Sequence, residues 1–164
     1  MTGVLERAGE RWRLSFTRHL RHPPDRVWRA IIEAQHRDTW FPQRIVGEWR
    51  VGAPLSFVSN DGDFEGEVLA FEPPHLVEFR WGTDIIRLEV SAAASGSVLR
   101  LFDTFGEQGK AARDAAGWHV CLDALERTLD GQPAGGNGWP AVHAEYVRLF
   151  GPEAATIGPP VRAD

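Results

Sequence analysis

The chain is poor in cysteine, with one thiol, Cys121, among 164 residues. A disulfide framework needs paired cysteines and a Cys-rich zinc site needs several, so both are excluded. Lysine is almost missing as well: of the 18 basic residues only Lys110 is not arginine. No apolar run approaches the about 20 residues that span a bilayer. The stretch from Met1 to Arg13 carries charge but no apolar h-region, so no secretory signal is expected there. An excess of positive charge is lacking too, since 18 basic residues face 23 acidic ones, a net of −5 with an isoelectric point near 5.7. A duplex-binding domain carries a clustered basic excess. Here Arg11, Arg13, Arg18 and Arg21 are mixed with apolar residues at strand spacing, so nucleic acid is not an expected partner. A cytoplasmic globular protein without a membrane span is expected, and its length suits one domain.

Aromatics are plentiful, with seven Trp and nine Phe, and their periodicity is informative. Trp12, Leu14, Phe16, Arg18 and Leu20 share one side of a predicted strand at Arg11–Leu20. Pro23-Pro24-Asp25 opens a helix whose apolar face is Val27, Ala30, Ile31 and Ala34, because proline is accepted in a first turn. A second short helix is predicted around His36 to Trp40, closed by Pro42. Six strands follow: Ile45–Arg50, Pro54–Ser59, Phe64–Glu72, Leu76–Trp81, Ile85–Ala92 and Val98–Thr104. Short Gly-, Asn- and Pro-bearing turns join them, which implies an antiparallel meander. A long helix from about Ala111 to Asp130 bears Trp118, Leu122, Leu125 and Leu129 on one stripe, with Gly131 as its C-cap. Residues 1–131 thus read as one α+β unit, a seven-stranded sheet covered by its only long helix. Residues 132–164 read as a linker including Gly135-Gly136-Asn137-Gly138, a short amphipathic helix from Trp139 to Phe150, and a tail without apolar pattern.

Several short pieces in this order resemble one known family. They are Arg18 with Pro23-Pro24 and Val27-Trp28, Trp40-Phe41-Pro42, Val51-Gly52, Gly66-Glu67-Val68, Pro73 to Val77, Phe79-Arg80-Trp81, Gly96 to Leu99, and Gly117-Trp118 with Leu122. Together they resemble the START-like (SRPBCC) superfamily with its Bet v 1-type helix-grip fold, nearest the branch named after the activator of Hsp90 ATPase. The resemblance runs from about Leu14 to Leu129. It implies a curved antiparallel sheet wrapped around a C-terminal helix, an internal apolar pocket and no universal catalytic set. Its members include lipid and hormone carriers, polyketide cyclases and co-chaperones, so fold alone does not assign chemistry. The segment from Trp139 onward lies outside the minimal domain. It either caps an opening or mediates self-association, with Trp139, Tyr146 and Phe150 as candidate homodimer contacts.

In such a fold Trp40, Phe41, Phe79, Trp81 and Trp118 converge on the interior, with Leu88, Leu101 and Leu122 beside them. These side chains either fill a solid core or line a ligand pocket of the mostly apolar kind that small molecules use. Asp103 shares its strand side with Leu99, Leu101 and Phe105, and a buried carboxylate needs a partner or a raised pKa. It is either a strand-end residue bonded to loop backbone or a polar anchor for a ligand, and Arg18 is a possible partner. Glu78 and Arg80 belong to the outer face. The six histidines are scattered and form no metal-ligand spacing, and no nucleophile elbow or phosphate-cradling loop occurs. No metal or cofactor is therefore expected, and Cys121 reads as inert packing.

Three functions are compatible with these residues. The first is noncatalytic binding of a small hydrophobic molecule, lipid or polyketide-like, between sheet and long helix. The second is an enzyme of polyketide cyclase/dehydratase type, with Asp103 and Arg18 as candidate proton-transfer groups. The third is an Hsp90-type co-chaperone or interaction module, which the family's name suggests.

Overall fold

A computed structural model describes residues 2–136 and 138–159. Asn137 of the predicted linker and tail residues 160–164 lie outside the described residues.

Eight strands form one antiparallel sheet: β1 Val4–Ala8, β2 Arg11–Leu20, β3 Arg44–Val46, β4 Pro54–Val58, β5 Phe64–Glu72, β6 Leu76–Trp81, β7 Asp84–Ala93 and β8 Gly96–Phe105. Their order is β1-β2-β8-β7-β6-β5-β4-β3, so β3 to β8 run as the expected meander and β2 returns to pair with β8. Between β2 and β3 lie α1, Pro24–Ile32, and α2, Ala34–Arg37; α3, Ala111–Leu129, follows β8, and α4, Trp139–Phe150, comes last.

Three sequence expectations need correction. The sheet has eight strands rather than seven, because Val4–Ala8 folds back on Arg11–Ser15 through a turn at Gly9, whose φ is +65°. The strand expected at Ile45–Arg50 ends at Val46, since Gly47 adopts a φ of +145° that turns the chain out of the ladder. Trp40 stands in a turn after α2 rather than inside a helix.

The inner face of the sheet follows the period of two. Leu14, Phe16, Arg18 and Leu20 on β2, Ile86, Leu88 and Val90 on β7, and Leu99, Leu101, Asp103 and Phe105 on β8 are all buried. Trp118, Leu122, Leu125 and Leu129 of α3 are buried as well and belong to the same core. Burying such side chains is worth about 1.5–3 kcal/mol each. Glu78 and Arg87 pair across the outer face at 3.3 Å.

The segment beyond α3 packs on its own chain. Tyr146 of α4 is buried against Phe16, and its hydroxyl accepts the Gly3 N–H at 2.7 Å and meets His119 Nδ1 at 2.8 Å. Burial holds the His119 pKa below its ordinary value, against the opposing pull of Asp123, so its neutral ring can accept from Tyr146. Tyr146 is thus inside the molecule and not available for the dimer contact envisaged for it. After α4 a 3₁₀ turn at Pro152–Ala155 leads to Ile157, whose N–H donates to the Gly109 carbonyl at the entrance to α3.

Candidate functional site: an aromatic interior ending in a carboxylate cluster

Two short helices and a loop carry the outer wall of the interior. Arg37 is only 4% exposed. It donates to the Ile32 and Ile45 carbonyls at 2.8 and 3.2 Å, which fixes the connection between α1 and β3. Desolvation lowers the pKa of this guanidinium, opposed by Asp38, and its face lies 5.5 Å from the Trp49 ring. Trp40 Nε1 donates to the Ala30 carbonyl at 2.8 Å. These bonds aim Phe41 inward.

Phe41 touches rings from every layer: Trp40 at 5.5 Å, Trp118 at 5.6 Å, Phe79 at 6.2 Å and Phe57 at 6.5 Å between centroids. Trp118 in turn meets Trp81 at 5.2 Å. Five predicted aromatics, Trp40, Phe41, Phe79, Trp81 and Trp118, are therefore brought together, and they pack ring against ring. Leu88, Leu101 and Leu122 are buried in the same core. The same Phe41, with Gln43, also borders an open cleft of about 330 Å³ between the α2–β3 connection and the β4 end at Val58–Asn60. Gln43 Oε1 accepts the Trp81 Nε1–H at 3.0 Å, so this side chain joins the rim of the cleft to the aromatic interior.

Asp103 stands at one end of this interior with no measurable exposure. Its Oδ2 accepts the Trp118 indole N–H at 2.9 Å, while Oδ1 has no hydrogen-bond partner. Its partner is thus a tryptophan of α3, neither loop backbone nor Arg18. Arg18 points instead to Asp123 and Glu126 on α3, at 2.7 and 3.0 Å, which leaves the proposed Arg18–Asp103 pair unformed.

Two further carboxylates, missed in the sequence, converge beside Asp103. Asp84 opens β7, two residues before Ile86, which pairs with Asp103 across the sheet. Asp114 lies one turn before Trp118 on α3, and Lys110 one turn earlier. Lys110 Nζ reaches Asp84 Oδ1 and Oδ2 at 2.6 and 2.7 Å and Asp114 Oδ2 at 3.4 Å. Arg113 Nε donates to Asp114 at 2.9 Å. The i, i+4, i+8 spacing of Lys110, Asp114 and Trp118, with the chain's single lysine at its head, was the available signal.

Burial, reinforced by the Asp84 charge, pushes the Asp103 pKa well above the ordinary carboxylate value, against the Trp118 hydrogen bond. Burial also raises Asp114. For Lys110 burial acts downward, but the Asp84 hydrogen bond and the surrounding carboxylates outweigh it and raise its pKa. Cys121, without any such partner, has its thiol pushed up to about 12 by burial and carries no reactive character at neutral pH.

A pH dependence follows from Asp103. The folded protein holds this proton more tightly than the unfolded chain does. The associated stability is therefore complete below the ordinary carboxylate pKa and is lost as pH rises through the elevated one. Asp103→Asn keeps an acceptor for Trp118 and removes the titration. Urea midpoints taken from about pH 5 to about pH 8 should fall more steeply for the wild type than for Asp103→Asn. Parallel curves would show that Asp103 does not titrate differently in the two states.

An open eight-stranded antiparallel sheet sharing an aromatic core with a long helix is the arrangement of a helix-grip protein of the START-like (SRPBCC) kind. Residues 21–130 match the family described as Activator of Hsp90 ATPase homolog 1-like protein, and the chain belongs to that family. No curated protein sequence matches it. Among solved structures it is similar to EF2215 of Enterococcus faecalis, a conserved protein of unknown function, with 20% identity over 90% of each chain and a TM-score of 0.78. It is also similar to CalU16 of Micromonospora echinospora, with 22% identity over 91% of this chain and 92% of that one and a TM-score of 0.73. A third neighbour is DynU16 of the dynemicin biosynthetic locus, with 24% identity over 76% of this chain and 50% of that one and a TM-score of 0.68. At these identities the likeness is one of fold. Among the described residues no helix is long and apolar enough to cross a membrane.

Proposed function

We propose that the protein binds a small hydrophobic molecule, lipid or polyketide-like, between the sheet and α3 without transforming it, and that Phe41 gives way to it. The observation that carries this reading is the double position of Phe41. It is the ring on which Trp40, Phe57, Phe79 and Trp118 converge, yet it borders an open cleft. A side chain on a loop can swing out without disturbing the ladder, and its departure leaves an apolar space walled by rings from sheet and helix. Gln43 would move with it, releasing Trp81. Membership of a family of helix-grip fold supports the reading, and so does the setting of DynU16, a neighbour in a biosynthetic locus.

Phe41→Ala tests it. The vacated space equals a buried Phe side chain, worth about 1.5–3 kcal/mol, so the affinity for anilinonaphthalene sulfonate should rise about ten- to a hundredfold. Native mass spectrometry of the purified wild type should show a co-purifying hydrophobic molecule. Unchanged dye affinity in Phe41→Ala together with a ligand-free wild type would defeat the proposal.

A second reading, an enzyme of polyketide cyclase/dehydratase type, is favoured by one observation. Asp103 is a fully buried carboxyl bonded to the Trp118 indole, and burial pushes its pKa well above the ordinary carboxylate value, the direction a general acid requires. On that reading Asp103→Asn abolishes turnover of a bound polyketide while leaving its affinity intact.

A further inference from the structure

We propose that Asp84, Asp103 and Asp114 form a site for a hard divalent cation, with Lys110 as a tethered occupant that gives way to it. One carboxylate oxygen from each residue lies within 4.8 Å of the others, although the three come from β7, β8 and α3. Carboxylate oxygens gathered at this scale are what hard cations such as Mg²⁺, Mn²⁺ or Ca²⁺ take as ligands.

The resident charges do not complete the cluster. Lys110 reaches Asp84 and Asp114, and Arg113 adds a second bond to Asp114. Asp103 receives neither cation. Its Oδ1, on a side chain with no exposure at all, has no hydrogen-bond partner. The ion pairs of the cluster leave this oxygen unaccounted for, and a buried, unpaired carboxylate oxygen is costly. A divalent ion held by Asp103 together with Asp84 and Asp114 would give this carboxylate a second partner, whereas a single ammonium held by Asp84 does not.

Access and exchange are also provided for. The Lys110 and Asp114 side chains keep 15% and 11% exposure, so the cluster meets solvent on their side. Lysine carries its charge on a flexible four-carbon stem that can turn outward. A cation entering here replaces one ammonium on Asp84 and gains Asp103 as a further ligand.

The test uses the full-length protein after chelator treatment, with Tb³⁺ as the probe and Mn²⁺ as the competitor. The Trp118 indole bonds directly to Asp103, so excitation of tryptophan should sensitise emission from a Tb³⁺ ion held there. Saturable 1:1 emission that Mn²⁺ quenches is expected. Asp103→Asn and Asp84→Asn should each weaken it at least about tenfold, the scale seen for loss of metal-site groups. Lys110→Met should strengthen it by at least about tenfold, because the competitor is gone. Absence of saturable emission in both wild type and Lys110→Met would overturn the proposal. Emission indifferent to Asp103→Asn would do the same by placing the ion on surface carboxylates. Should an aspartate variant fail to fold, the Lys110→Met titration decides alone, and an affinity no tighter than that of the wild type refutes the site.

Discussion

Trp118→Ala is expected to destabilise the protein by about 3–5 kcal/mol, the range for removing a large aromatic from a packed core. Two losses combine in this variant. The indole contacts Trp81 and Phe41 at 5.2 and 5.6 Å, so its removal opens a void on both the sheet and the loop side. Asp103 also loses its hydrogen-bond donor in a place without solvent. Trp118→Phe separates the two effects. It retains most of the packing and removes the N–H, and should cost about 1–3 kcal/mol, the penalty for stranding a buried acceptor. Equilibrium urea unfolding of the three proteins measures both. A loss of under about 1 kcal/mol for the alanine variant would mean that the aromatic interior is not what holds α3 on the sheet.

Lys110→Met is expected to cost about 3–5 kcal/mol near neutral pH, the scale for removing one partner of a buried ion pair. The Asp84 side chain is only 3% exposed and accepts two short bonds from the ammonium. Without that ammonium, a buried carboxyl loses the partner of both its oxygens. A loss of packing on Phe105, which lies 5.3 Å from the ammonium, would instead persist when Asp84 is neutralised by substitution. Asp84→Asn combined with Lys110→Met should recover most of the loss, as a double-mutant cycle measures. Additive losses in the double variant would contradict the pairing. Mn²⁺ should likewise restore the midpoint of Lys110→Met if the carboxylates receive it, because a ligand that binds only the folded state stabilises it.

The readable part of the fold was the part governed by simple periods. Alternation from Trp12 to Leu20 identified β2 to the residue, and the i, i+4 rows of Trp118, Leu122, Leu125 and Leu129 identified α3. Edges were harder. Val4–Ala8 is a rim strand whose residues are exposed or only half-buried, so it lacks the in-out alternation that marks a two-faced strand. At Ile45–Arg50 the residue types suit a strand, but Gly47 diverts the backbone.

The aromatic wall was legible because large rings on predicted inner faces have nowhere else to go. Its tight closure by Phe41 was not, since the direction of a side chain in a turn depends on distant partners such as the Ala30 and Ile45 carbonyls. The partner of Asp103 is hidden from the sequence for a related reason. Arg18 shares its sheet face, but Leu14 rather than Arg18 is its neighbour in the β2–β8 ladder. Asp84 was hidden in a turn, where aspartate is ordinary chemistry, and only the register with β8 brings it to Asp103.

The bond from Gly3 to Tyr146 links positions 143 residues apart. During synthesis β1 emerges well before α4, so its ladder with β2 can form early while the Gly3 tether closes only after α4 has left the ribosome. A bulky insertion directly before Gly3 would intrude on this seam between β1 and α4, and a spacer there would preserve it.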